Sequence, residues 1–150
     1  MPDLLFPLRR LLAVRVRVEG FSMEPLPGAS GLGHGSLALF DRLALLFRPP
    51  RRGEVVLLRP GRQWMVKRVV GVPGDRVEVA GGWVRVNGEP VAVDPEDGPP
   101  RRWDLGPGRL FVLGDAPGAS TESRHFGPVD RSAVVGVLWR VRKGDRWAPP

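Results

Sequence analysis

The feature that most constrains the fold of this chain is a recurrent two-residue alternation of apolar and polar side chains. Val14, Val16 and Val18 alternate with two arginines and a glutamate, which is typical of a strand with one buried face. Similar short runs, separated by glycine and proline, predict strands at 36–40, 54–59, 64–72, 75–80, 83–87, 89–93, 109–115 and 133–142. The pattern predicts a mostly β fold, arranged as a mixed barrel or sandwich.

The segments between these runs carry signals of their own. Asn87-Gly88 lies between two alternating runs and predicts a tight hairpin. Residues 94–108 are rich in proline and glycine and are interpreted as a loop, as is the polar stretch 116–128. Residues 41–47 are the one local candidate for a helix, and we interpret them as strand. With 150 residues, the chain fits one domain.

The charged residues are unusual in type as well as in number. Of 23 basic residues, all but Lys67 and Lys143 are arginine, and the formal net charge is +7. Such a surface favours contact with an anionic membrane or with nucleic acid. The chain has no cysteine, which excludes disulfides and thiolate metal sites. His34 and His125 are interpreted as surface or loop residues, so no metal and no cofactor is expected.

Residues 1–13 form an apolar and basic segment ahead of the first strand. Residues 14–150 are assigned to one domain, which carries the candidate catalytic residues. Arg9 and Arg10 interrupt the apolar run, which falls short of the eighteen or so apolar residues that a spanning helix requires. The pattern does not fit a cleavable signal peptide either. Two interpretations remain open: the leucines dip into a membrane interface, or the segment packs on the domain.

Two segments carry residues suited to nucleophilic catalysis. Ser22 follows the first strand in EGFSMEPLPG, where a hydroxyl can be exposed beside free backbone N–H groups. Lys67 interrupts the apolar run WMVKRVVGV, and alternation places it on the same face as Met65 and Val69. A buried lysine can lose its proton, whereas an arginine stays charged. The pair suggests a serine nucleophile with a lysine as its general base.

The polar loop after the strand at 109–115 is the third informative segment. Ser120 could orient the base, and Arg124 would pair with Glu122 or with Asp115; the sequence leaves both partners open. Each of the three segments also has a purely structural interpretation. These are an ordinary turn serine, a lysine that reaches solvent from a sheet edge, and a solvated loop.

Taken in chain order, these segments resemble the type I signal peptidases, membrane-associated peptidases with a Ser-Lys dyad. SMEP at 22–25 is similar to the family's nucleophile box, 36–58 to the segment after it, KRVVGVPGD at 67–75 to its lysine box, and 114–129 to its last box. Four boxes in order are much more specific than one. The resemblance runs from about residue 14 to 142 and implies a single domain of coiled antiparallel β-sheets with a barrel-like, complex β-fold.

The resemblance also implies roles at the matching positions. Ser22 would be the nucleophile, Lys67 the general base and Ser120 a hydrogen-bond partner of that base. The oxyanion would rest on backbone N–H groups, principally that of Ser22. The supporting residues would be Gly20, Asp115 and the charged pair of Glu122 and Arg124. Met23 and Met65 are expected to form an apolar wall near the base, and the expected substrate contacts are Met23, Pro25 and Met65.

Three departures from the family pattern bear on these expectations. Ala116 stands where the family has Asn, and Glu122 where it has Asp, so a rearranged supporting network is expected. LPGASGLGHG replaces a shorter turn after the nucleophile box, so the substrate edge should differ. The family's N-terminal membrane span does not appear in the chain. A truncated gene start, a cloned soluble form and an unanchored member all remain open.

The expected function is cleavage of N-terminal signal peptides from secreted pre-proteins, with small residues before the cut. The expected location is a membrane, with the catalytic domain on the extracytoplasmic face, and a soluble form stays open. The expected partners are secretory pre-proteins and an anionic membrane surface; nucleic acid is not expected and the oligomeric state is open. Alternatives are a non-catalytic basic β-domain that binds nucleic acid or anionic lipid, a degenerate peptidase, and a self-cleaving SOS-type regulator. The last is disfavoured because no DNA-binding helical domain is present.

Overall fold

The computed structural model describes residues 4–20, 23, 32–116, 118 and 121–150. In this part of the chain the strands are β1 (Val14–Arg17), β2 (Leu37–Asp41), β3 (Val55–Leu58), β4 (Met65–Gly71), β5 (Arg76–Ala80), β6 (Trp83–Val86), β7 (Glu89–Val93), β8 (Arg101–Asp104), β9 (Arg109–Leu113), β10 (Val129–Asp130), β11 (Val134–Lys143) and β12 (Arg146–Ala148). The helices are α1 (Phe6–Leu12), α2 (Ala44–Phe47) and α3 (Ser123–Phe126), and Arg131–Ala133 form a 3₁₀ turn. The prediction of a mostly β fold with coiled antiparallel sheets is confirmed.

The larger of the two sheets places the lysine segment in its interior. Its strand order is β1-β2-β11-β3-β4-β9-β10, with β12 paired to β11, and every pair is antiparallel. β4 lies between β3 and β9, with Lys67 opposite Val56 and Arg68 opposite Leu113. Neighbours on both sides therefore hold the backbone of the strand that carries Lys67.

The smaller sheet has the strand order β7-β6-β5-β8: two consecutive hairpins join β5, β6 and β7, and β8 returns to pair with β5. Val86 pairs with Glu89 across Asn87 and Gly88, whose φ values are +52° and +85°. These left-handed values are those that a two-residue hairpin turn requires. The hairpin predicted at Asn87-Gly88 is confirmed.

Apolar side chains cover both faces of the larger sheet at its centre. One cluster contains Val55 and Leu57 of β3, and a second contains the intervening Val56 and Leu58. A third cluster joins the two sheets and consists of Val77, Val79, Val84, Val86, Leu105, Phe111 and Leu113. β9 contributes to two of these clusters, so it links the interior strands to the small sheet.

The interpretation of residues 41–47 as strand is wrong beyond the first residue. β2 ends at Asp41, and α2 begins at Ala44. The carboxylate oxygen Oδ1 of Asp41 accepts hydrogen bonds from the backbone N–H groups of Leu43 (2.8 Å) and Ala44 (3.2 Å). These bonds satisfy donors at the start of a helix, and so they turn the chain out of the sheet.

The interpretation of residues 94–108 as loop is wrong at Arg101–Asp104, which form β8. This strand pairs with β5, with Trp103 opposite Val77. The prolines of residues 94–108 lie before and after the paired residues, where they interrupt no hydrogen bond between the strands. The polar stretch 116–128 likewise contains α3, a single helical turn.

The N-terminal segment forms a short helix, α1, that lies against the larger sheet. The ring of Phe6 lies 5.2 Å from that of Trp139, and Arg9 Nε lies 3.3 Å from an oxygen of Asp41. Several leucines of this segment nevertheless stay exposed, including Leu4 and Leu11. None of the helices in the described part of the chain is long and apolar enough to cross a membrane.

Candidate active site

Lys67 is a buried basic side chain in the interior of the larger sheet. It is 4% exposed and lies opposite Val56, whose side chain belongs to the core on that face. Met65 and Val69 pack into the same cluster, while Val66 packs into the cluster on the other face. The predicted alternation along β4 is confirmed. Burial lowers the pKa of Lys67 below its ordinary value, and the carboxylate of Glu122 opposes that shift without cancelling it.

Glu122 is the acid beside this lysine, and both of its oxygens are engaged. It is 2% exposed and immediately precedes α3. One carboxylate oxygen accepts the backbone N–H of Gly114, at the end of β9, and the other accepts Nε of Arg124. Because β9 pairs with β4, these contacts hold the carboxylate of Glu122 near the strand that carries Lys67. The carboxylate is therefore fixed from two sides.

Arg124 is a permanently charged side chain with almost no exposure, 1%. It donates to Glu122 and, through Nη1, to Asp94 Oδ1 at 2.5 Å. Among the described residues its Nη2 has no hydrogen-bond partner. Of the two partners that the sequence left open, the structure selects Glu122. A second carboxylate, Asp94, was not among the predicted site residues.

Asp115 pairs with Arg68 and not with Arg124. The guanidinium of Arg68 contacts both oxygens of Asp115, at 2.8 and 2.7 Å, and also donates to the carbonyl of Gly53 at 2.8 Å. The hydrogen bond with Asp115 raises the pKa of Arg68 above its ordinary value. Arg68 and Lys67 are successive strand residues, so they point to opposite faces of β4. The ion pair between Asp115 and Arg68 therefore lies on the face of β4 opposite Lys67.

The nucleophile segment is only partly described. Gly20 follows β1 with φ +86°, a left-handed conformation that favours glycine, and its N–H donates to Nδ1 of His34 at 3.1 Å. Ser22, Pro25 and Ser120 lie outside the described residues, and their roles stay predictions.

The two methionines expected beside the base lie on different faces of the sheet. Met23 is 1% exposed and packs with Val18 and Phe40, in the cluster that holds Val55 and Leu57. Met65 packs in the cluster that holds Val56 and Leu58, the face of Lys67. Of the two methionines, Met65 is thus the one on the same face as Lys67. Contact of Met23 or Met65 with a substrate stays a prediction.

The residues that sequence reasoning missed come from the segment after β7. Besides Asp94, Glu96 contacts His125, with Oε1 and Nε2 2.6 Å apart. The sequence carries no local signal for either Asp94 or Glu96. Both lie in a segment that was interpreted as a loop, and their partners lie about thirty positions further along the chain. His34 and His125 are both exposed, as predicted.

Comparison with known proteins identifies the family of this chain. The sequence model of the family described as "Signal peptidase, peptidase S26" matches residues 4–141. Signal peptidase I V of Bacillus subtilis is 28% identical over 87% of this chain and 86% of its own length. Signal peptidase I of Leptolyngbya laminosa is 30% identical over 75% of this chain, and a mitochondrial ATP-independent inner membrane protease subunit 1b of Arabidopsis thaliana is 33% identical over 71%.

The matched regions cover 64% of the Leptolyngbya protein and 59% of the Arabidopsis protein, so the chain spans less than two thirds of these two relatives. Among solved structures, a signal peptidase I of Enterococcus faecalis superposes with a TM-score of 0.50 at 26% identity. That superposition covers 61% of this chain and 97% of the other. The family match extends over most of the chain and includes the strand of Lys67 and the segment of Glu122 and Arg124. The chain therefore belongs to the signal peptidase family, peptidase S26.

Proposed function

We propose that this protein is a serine endopeptidase that removes N-terminal signal peptides from secreted pre-proteins, with Ser22 as nucleophile and Lys67 as general base. The observation that carries the proposal is the buried Lys67, whose pKa is lowered by burial in the interior of the sheet. The family match supports the same chemistry. A structural lysine at a sheet edge would have kept its ammonium in water.

In the proposed reaction, the neutral Nζ of Lys67 takes the proton of the Ser22 hydroxyl as its oxygen attacks the scissile carbonyl carbon. The peptide C–N bond then breaks as the leaving amine takes the proton held by Lys67, and an acyl-enzyme remains on Ser22. Lys67, neutral again, deprotonates the water that hydrolyses the ester, and then returns the proton to the Ser22 oxygen. Backbone N–H groups near Ser22 would stabilise the oxyanion, as expected from the resemblance.

Lys67 suits this role because its charge is removable. An arginine stays protonated at any pH at which the protein is folded, so it cannot accept the serine proton. The general base must be neutral before the attack and basic enough to hold a proton after it. Burial supplies the first property, and the nearby Glu122 carboxylate favours the second.

We further propose that the enzyme works at an anionic membrane surface. Exposed apolar side chains belong to α1, to the two residues before it and to α2: Leu4, Leu5, Phe6, Leu8, Leu11, Leu12, Leu46 and Phe47. Arg9 of α1 and Phe47 of α2 line one groove, so the two helices flank the same side of the molecule. Apolar side chains among arginines, on a chain of net charge +7, favour an interface with anionic lipid.

The test is cleavage of a model pre-protein with alanines before the cut, in detergent or with vesicles of anionic phosphatidylglycerol. Ser22→Ala, Lys67→Ala and Lys67→Arg are expected to abolish turnover in folded protein. Lys143→Arg is the matched control, because it changes the other lysine, on β11, and should leave turnover unchanged. Co-sedimentation with the same vesicles measures lipid binding. We expect the protein to bind neutral phosphatidylcholine vesicles more weakly than anionic ones.

Turnover by a folded Lys67→Ala variant would exclude Lys67 as the base. Absence of turnover by the parent protein on every pre-protein tested, in detergent and on vesicles, would favour a degenerate peptidase. Salt-dependent oligonucleotide binding that survives Ser22→Ala, together with that absence, would favour a non-catalytic basic domain.

A further inference from the structure

A row of three buried charges leads from the small sheet to the lysine. Asp94, Arg124 and Glu122 are 3%, 1% and 2% exposed, and Arg124 hydrogen-bonds to both carboxylates. Glu122 in turn lies close enough to Lys67 for its charge to act on it. Water and salt screen such buried charges weakly, so a change at one end of the row is felt at the other.

Asp94 is held by the small sheet and not by the sheet that carries Lys67. It directly follows β7, and its backbone N–H donates to the carbonyl of Gly82 at 2.8 Å, within the hairpin that joins β5 and β6. β5 and β6 pair from Val77 opposite Val86 to Ala80 opposite Trp83, which fixes the position of that hairpin. The carboxylate of Asp94 therefore enters the site from a separate, rigid element.

A residue close after Asp94 makes a second contact with the segment of Glu122 and Arg124. His125 Nδ1 accepts the backbone N–H of Glu122 at 3.1 Å, so its Nε2 carries the proton and donates to Glu96. The segment 94–96 thus contacts residues 122–125 through both Asp94 and Glu96.

We infer that Asp94 is a positioning residue for Lys67: by holding the Arg124 guanidinium from the small sheet, it fixes the Glu122 carboxylate beside the proposed general base. This inference rests on the proposed function of Lys67. Asp94 acts through two intermediates, and its charge makes the row Asp94–Arg124–Glu122 carry one net negative charge instead of none.

The other charged groups around this row are already engaged. Arg101 donates to the backbone carbonyl of Arg124, and His125 contacts Glu96. Arg68 and Asp115 pair with each other beyond β4, on the face away from Lys67. Asp94 is therefore the group whose removal changes the net charge of the row while leaving the Glu122 contacts with Gly114 and Arg124 chemically possible.

The experiment compares Asp94→Asn with Asp104→Asn, a matched control on the same sheet that removes an exposed carboxylate bonded to Arg76 and Arg102. The chain has two lysines, so protein labelled with ¹³Cε-lysine gives two titrating signals, and Lys143→Arg assigns that of Lys67. Pre-protein cleavage gives kcat and KM on the same samples.

In Asp94→Asn, we expect kcat to fall by about 10- to 100-fold with little change in KM, because the base and its carboxylate are misplaced. The Lys67 signal should titrate at lower pH, because the row goes from one net negative charge to none and so favours the protonated amine less. The acid limb of the kcat/KM profile should move the same way. Asp104→Asn should change none of these.

A folded Asp94→Asn variant with an unchanged Lys67 titration would overturn the inference, even if kcat fell, because a merely structural role would not move that titration. If the parent never cleaves but the titration shifts as expected, the positioning inference stands and the proposed function fails. If Asp94→Asn does not fold, Asp94→Glu keeps the charge and displaces it by one methylene. Parental kcat in folded Asp94→Glu would then overturn the inference, and a loss of about tenfold, absent in Asp104→Glu, would support it.

Discussion

Gly71, the last residue of β4, lies where the two sheets meet, and its replacement by alanine tests the packing of that junction. An added Cβ would lie 2.8 Å from Leu105 Cδ1, 3.1 Å from Phe111 Cβ and 3.1 Å from Val77 Cγ2. The register of β4 against β9 also shifts between Val69 and Gly71, so the backbone is already bent there. No larger side chain than hydrogen fits without movement.

The size of the effect follows from which neighbours can move. Leu105 can change rotamer, whereas Phe111 Cβ is attached to the adjacent strand and Val77 is fully buried in the small sheet. Overpacking of this kind costs about 1–3 kcal/mol. Replacing a strand glycine by alanine returns about 0.5–1 kcal/mol of chain entropy. We therefore expect Gly71→Ala to lower the free energy of unfolding by about 1–2 kcal/mol, and Tm by about 3–6 °C for a domain of this size.

Urea unfolding and differential scanning calorimetry measure both quantities. Gly106→Ala is the control: its added Cβ would meet nothing within 4 Å and its φ lies outside the left-handed region, so its stability should equal or slightly exceed that of the parent. If Gly71→Ala is as stable as Gly106→Ala, Leu105, Phe111 and Val77 do not converge on Gly71, and the described junction of the sheets is incorrect.

Two further predictions concern buried charges outside that junction. Because burial lowers the pKa of Lys67, its protonated form is penalised in the folded protein below the folded pKa, and the penalty vanishes as pH rises to the ordinary value of about 10.4. Lys67→Met should therefore gain stability relative to the parent as the pH falls from 10 to 6, measured by urea unfolding at each pH, and a difference that stays constant over this range would contradict the prediction. Burial by itself raises the pKa of Asp75, but hydrogen bonds from Val72 N–H, Arg52 and Asn87 hold it below its ordinary value. Asp75→Asn should cost about 1–2 kcal/mol at pH 7, and the loss should shrink as the pH falls below the ordinary aspartate pKa of about 3.9; a loss that stays constant as the pH is lowered would contradict this prediction.

The parts of the site that could be predicted from sequence depend on local rules. Side chains on a strand alternate between its faces, so the apolar positions around Lys67 were enough to place it with Met65 and Val69 on the core face. The Asn87-Gly88 turn follows from backbone sterics at two residues. The pairing of Glu122 with Arg124 spans only two positions, and the resemblance already implied it.

The parts that could not be predicted depend on contacts between distant segments. Without the resemblance, the residues alone left Asp115 and Glu122 equivalent as partners of Arg124, and the pairing of β4 with β9 is what placed Arg68 beside Asp115. Asp94 lies thirty positions from Arg124, in a segment whose prolines and glycines are typical of a solvated loop. β8 was hidden in the same way, because its pairing with β5 is a tertiary choice that overrides local composition.

The distribution of arginine and lysine inside the protein follows from what each cation must do. Arg124 is buried and permanently charged, and two carboxylates, Asp94 and Glu122, compensate it. With a neutral Lys67 the four groups carry one net negative charge, and with a protonated Lys67 they carry none. Burial therefore favours the neutral amine, while the surrounding charge favours its protonation. A general base needs both tendencies, because it must be free of its proton before serine attacks and able to hold the proton afterwards. Removing the compensating carboxylate would make Lys67 more readily neutral and a weaker base, so the proposed enzyme should lose rate even though more of its lysine is deprotonated.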